Sequence, residues 1–129
     1  MTLIVEKLVC IRTSRDADER IAAAPCDWSF HALWDAHTAA WSHTWQNCDR
    51  TLPDEELQIG LRYSMFQLMA SCAAHDPTVS IGARGLTHAR YKGCYFWDTD
   101  LFMLPFFLKN DKTAAKNLCL YRANALDAA

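Results

Sequence analysis

The sequence is poor in glycine and proline, with four of each among 129 residues, which excludes collagen-like repeats and low-complexity disorder. It also lacks an excess of either charge: 13 Lys and Arg stand against 15 Asp and Glu, a formal net charge of -2. That balance offers no general attraction to phosphate backbones or anionic bilayers, so neither nucleic acid nor membrane is expected as a partner. Long apolar runs are missing too. Stretches free of Asp, Glu, Lys and Arg, such as residues 63–75, fall short of the roughly 20 apolar residues that span a bilayer. Residues 1–12 lack the basic start and small-residue cleavage site of a secretory leader, which predicts a cytoplasmic location. The cysteines at 10, 26, 48, 72, 94 and 119 stand singly, with no Cys-x-x-Cys pair. Reduced and mostly buried thiols are expected, rather than a disulfide framework or a zinc site.

What is present is apolar mass, 51% hydrophobic and 12% aromatic, in a chain shorter than the roughly 150 residues of a typical domain. Leu3, Val5, Leu8, Val9 and Ile11 predict one β-strand over residues 2–12, ended by the polar cluster 13–16. No second strand is evident to pair with it. Residues 17–24, closed by Pro25, read as a short connecting helix.

From Phe30 onward, Leu33, Trp34, His37, Trp41 and Trp45 return to one helical face and form an aromatic stripe. A second helix is expected from Thr51, with Pro53 and the acidic residues 54–56 favouring initiation. Its stripe is Leu57, Leu61, Ser64, Met65, Leu68 and Cys72, while Ile59, Tyr63 and Phe66 add a second apolar face. A helix apolar on two sides contacts neighbours on both, as in layered or barrel assemblies. Residues 101–108, interrupted by Pro105, and residues 113–128 read as further helix.

Between them, residues 76–98 hold Gly82, Gly85 and Gly93 among aromatic and charged groups, the composition of a binding loop on a helical scaffold. Neither phosphate-loop spacing occurs there. His31, His37, His43, His75 and His88 show no metal-binding arrangement, and no metal is expected. Cys94 reads as a packing cysteine, with no base beside it in the sequence to activate it. Trp97 and Asp98 place an indole beside a carboxylate. Spacing alone leaves two readings open: a sugar site, with C–H faces on the ring and hydroxyls donating to the acid, or a packed tryptophan followed by a helix-capping aspartate.

The run Ser80-Ile81-Gly82-Ala83-Arg84-Gly85-Leu86-Thr87, followed by Tyr91-Lys92-Gly93, Tyr95-Phe96-Trp97-Asp98-Thr99 and Phe102-Met103-Leu104-Pro105-Phe106-Phe107, resembles glycoside hydrolase family 65, the maltose, trehalose and kojibiose phosphorylases. The likeness extends more loosely to residues 118–126, the Trp-rich helix and residues 7–16. It implies a mainly α protein: a partial (α/α)6 barrel, its opening helices preceded by one β-strand left from an N-terminal β-sandwich. Residues 1–27 would then be the end of that sandwich plus a linker, and residues 28–129 the N-terminal part of an incomplete catalytic barrel.

The resemblance further implies a fragment of an inverting α-glucoside phosphorylase, which cleaves a disaccharide with inorganic phosphate as co-substrate and needs no other cofactor. Alternatives are an α-glucoside hydrolase of the same family and a non-catalytic remnant that at most binds sugar or self-associates through exposed apolar faces. The family's general acid and phosphate loops have no counterpart among these residues, so no catalytic residue is expected here. Trp97 and Asp98 carry over as the substrate-binding pair for the glucosyl unit. His88-Ala89-Arg90 stand where members typically have Gly-Glu-Gly, Cys94 replaces a usual histidine, and Asp100 a usual glutamate.

Overall fold

The computed structural model describes residues 3–11, 29–85 and 89–126. The chain divides into two compact units, Met1–Asn47 and Cys48–Ala129. Its elements are four helices, α1 (Phe30–Cys48), α2 (Glu55–Ser71), α3 (Leu104–Asn110) and α4 (Lys112–Ala125), with a 3-10 turn over Ala89–Tyr91 and a π-helical turn over Thr99–Met103. The mainly α expectation holds. No strand forms among the described residues, so the strand expected over 2–12 is not seen. Its β-branched side chains supply a preference only. A strand also needs a partner edge for its N–H and C=O groups, and none of the described residues offers one to residues 3–11. The helix expected over residues 17–24 lies outside the described residues.

In the first unit, the Ser29 hydroxyl caps α1 by accepting from the Ala32 amide at 3.2 Å. The expected aromatic stripe forms: Phe30 stacks on Trp34 with ring centres 6.0 Å apart, and the series continues through His37 and Trp41 to Trp45 at 6.3 Å steps. Phe30, Leu33 and Trp34 are exposed rather than packed.

In the second unit, α2 starts later than the sequence implies. Asp54, not Thr51, is its cap, with the carboxylate accepting from the Leu57 amide at 2.8 Å. A carboxylate at this position satisfies a free amide and meets the positive end of the helix dipole. The two-faced character of α2 is realised asymmetrically. Met65 is buried, Leu68 and Cys72 pack on the core, and Ile59, Tyr63 and Phe66 are exposed.

That core comprises Ile81, Phe107, Ala114, Ala115 and Leu118, with Met103, Leu104 and Phe106 against it. Pro105 sits in the first turn of α3. Having no N–H, it cannot extend an α ladder to Leu101, and the preceding turn widens so that the Leu104 amide bonds the Thr99 carbonyl. Asp111 joins two helices: its amide donates to Phe107 at 2.7 Å, closing α3, and its carboxylate accepts from Thr113 and Ala114, opening α4. Of the described cysteines only Cys48 is buried, while Cys10, Cys94 and Cys119 are exposed. The expectation of mostly buried thiols therefore fails, because these positions lie on faces that the described residues leave uncovered.

Candidate functional site

The loop between α2 and the π turn folds back on itself. The Ala83 amide donates to the Cys94 carbonyl at 3.1 Å, and a tight turn closes from the Gly85 amide to the Gly82 carbonyl at 2.9 Å. Gly85 is required there twice over. Its φ is +74°, and a Cβ would meet the Ser71 hydroxyl at 3.0 Å. Arg84 shares the left-handed region, with φ 65°, an uncommon conformation for a side chain of that size.

This turn and the start of the π turn enclose an open concavity of about 340 Å³ lined by Ile81, Ala83, Arg84, Tyr91, Phe96, Asp98, Thr99 and Met103. The size falls within the range of small-molecule sites. Tyr91 meets Phe96 edge to face at 5.6 Å, and the Arg84 guanidinium lies 5.8 Å from the centre of the Tyr91 ring. Thr99 is 2% exposed, and its hydroxyl donates to the Ile81 carbonyl at 3.2 Å, tying the two sides of the concavity together.

Asp98 lines this concavity and is exposed. Its backbone is already helical, at φ -53° and ψ -37°, and its side chain makes no capping bond. Capping requires a non-helical backbone, so the capping alternative for Asp98 is removed. Among the described residues its carboxylate has neither an ion pair nor a hydrogen bond. Trp97 is 68% exposed in this chain. It is not part of the concavity's lining. One face of its ring instead meets the guanidinium of Arg122, on α4, at 4.6 Å.

Arg122 holds more than the ring. Its Nε donates to Asp100 Oδ2 at 2.9 Å and its Nη2 to the Phe96 carbonyl at 3.0 Å. The neighbouring Tyr121 packs edge to face on Tyr95 at 5.1 Å. Sequence reasoning passed over Arg122 because twenty-five positions separate it from Trp97, and only the docking of α4 beside α3 brings them together. Arg84 and Tyr91 lay within the quoted motifs, but nothing in their spacing put them beside Asp98.

The geometry defines a helical segment bearing an aromatic and acidic loop, and residues 62–129 match the family model of the glycosyl hydrolase family 65 central catalytic domain. The chain belongs to that family. It is 40% identical to a kojibiose phosphorylase of Caldanaerobacter subterraneus subsp. tengcongensis over 99% of its length, covering 18% of that protein. It is also 33% identical to the maltose phosphorylase of Bacillus subtilis and 35% identical to an alpha,alpha-trehalose phosphorylase of Thermoanaerobacter brockii, each over 97% of the chain. The chain spans less than a fifth of the length of these curated relatives, 18% and 17% for the latter two. Among the described residues, no helix is long and apolar enough to cross a membrane.

Proposed function

We propose that this chain forms the opening helices of the (α/α)6-barrel catalytic domain of an inverting α-glucoside phosphorylase. On this reading residues 28–129 belong to the barrel, and residues 1–27 are the end of the preceding sandwich and its linker. The site's contribution is to hold the glucosyl unit. The free face of Trp97 packs on the sugar's C–H groups, and Asp98 accepts from its hydroxyls. Such charged hydrogen bonds contribute roughly 1.5–3 kcal/mol each when water is excluded. A general acid elsewhere in the barrel protonates the leaving glycosidic oxygen, inorganic phosphate attacks the anomeric carbon from the opposite face, and configuration inverts.

The observation that carries this reading is an exposed Asp98, its carboxylate without a partner among the described residues, beside an exposed indole within the region that matches the family's catalytic domain. The test is glucose release from kojibiose, maltose and trehalose by a full-length family enzyme carrying this segment, with and without phosphate. Release that requires phosphate is expected. Undiminished release in its absence assigns a hydrolase instead.

For the 129-residue chain alone, a non-catalytic role is favoured by the exposed apolar faces of α1 and α2. Such faces await neighbouring helices and promote self-association when left open. The purified chain is expected to show no phosphorolysis, and measurable turnover would overturn that reading.

A further inference from the structure

Arg122 contacts Phe96, Trp97 and Asp100, on either side of Asp98, without lining the concavity itself. Its guanidinium lies against the Trp97 ring at 4.6 Å, pairs with the Asp100 carboxylate at 2.8 Å, and donates to the Phe96 carbonyl at 3.0 Å. Both charged groups of the pair are partly buried, at 29% and 19% side-chain exposure, so the contact is held more firmly than a solvent-exposed pair. A planar fork suits this combination. It stacks on an aromatic face and donates in its own plane at once, which an ammonium cannot do.

We infer that Arg122 is a positioning residue for sugar binding: it backs one face of Trp97, leaving the other for a pyranose, and fixes the backbone of residues 96–100 so that Asp98 is held at the concavity. The inference rests on the proposal that Trp97 and Asp98 hold a glucosyl unit. It also accounts for Asp100, whose carboxylate turns to Arg122 and not to the concavity.

The test uses the full 129-residue chain and methyl α-D-glucopyranoside as probe, following the indole N–H resonance of Trp97 and the Nε–H resonance of Arg122. The unaltered chain is expected to show a saturable Trp97 shift that Trp97→Ala and Asp98→Asn abolish. Arg122→Met is expected to weaken binding about tenfold, the scale of a lost cation–π contact and its hydrogen bonds. Arg122→Lys, which keeps the charge and spares the fold, is expected to fall between the two. The Arg122 Nε–H resonance is expected to move in Trp97→Ala and in Asp100→Asn without sugar present, a signature that a general loss of stability does not produce. Unchanged affinity in both Arg122 variants overturns the positioning role and leaves the glucosyl reading standing. No sugar-dependent shift in the unaltered chain overturns both.

Discussion

The hydroxyl of Thr99 donates to the carbonyl of Ile81 across eighteen positions of sequence, at 3.2 Å and buried from solvent. This bond joins the glycine turn to the segment that carries Trp97 and Asp98. Thr99→Val keeps the side-chain shape but leaves the Ile81 carbonyl without its partner, so a loss of about 1–3 kcal/mol in urea unfolding is expected. Unchanged stability would show that the bond contributes nothing to holding the loop.

Asp111 ends one helix and starts the next. Asp111→Ala removes the cap of α4 and is expected to cost about 1 kcal/mol of stability, whereas Asp111→Asn, still able to accept from the Thr113 and Ala114 amides, should cost much less. Equal losses would show that the carboxylate's charge, rather than its capping bonds, supports the helix.

Burial, assisted by the Asp111 carboxylate, pushes the Cys72 thiol up from an ordinary value near 9 to about 11. The folded chain therefore holds this proton more tightly than the unfolded chain. The stabilisation is complete below about pH 9 and is lost as pH rises through about 11. Cys72→Ala is expected to flatten the alkaline fall in stability relative to the unaltered chain. Alkylation of Cys72 should lag behind that of exposed Cys94 and Cys119 at pH 8. Equal alkylation rates would contradict the burial.

Trp34 and Phe30 on α1, and Ile59, Tyr63 and Phe66 on α2, are exposed. The purified chain is expected to bind a hydrophobic dye and to elute above monomer size in light-scattering chromatography. A monomer without dye uptake would show that these faces need no partner.

The helices were legible because aromatic and aliphatic residues recur at helical spacing, and the stripe from Phe30 to Trp45 forms as read. Start points were less so. Thr51 and Asp54 are both capping residue types, and which one serves depends on tertiary anchoring: Gln58 accepts from the Leu52 amide at 2.7 Å, and Arg62 pairs with Asp49. The strand expected over residues 2–12 does not form among the described residues, since side-chain preference cannot supply a partner edge. At the site, Trp97 and Asp98 stood out through their motif. Arg122 did not, since a contact between α4 and the loop is a product of packing and leaves no local pattern.

The most direct measurement is catalytic efficiency in a full-length family enzyme carrying this segment, with Trp97→Ala and Asp98→Asn compared against the parent on a disaccharide and phosphate. A fall in kcat/KM of about tenfold or more for each, equivalent to at least roughly 1.4 kcal/mol of lost transition-state stabilisation, is predicted. Near-parental kinetics in either variant would remove that residue from the site, and in both would contradict the account.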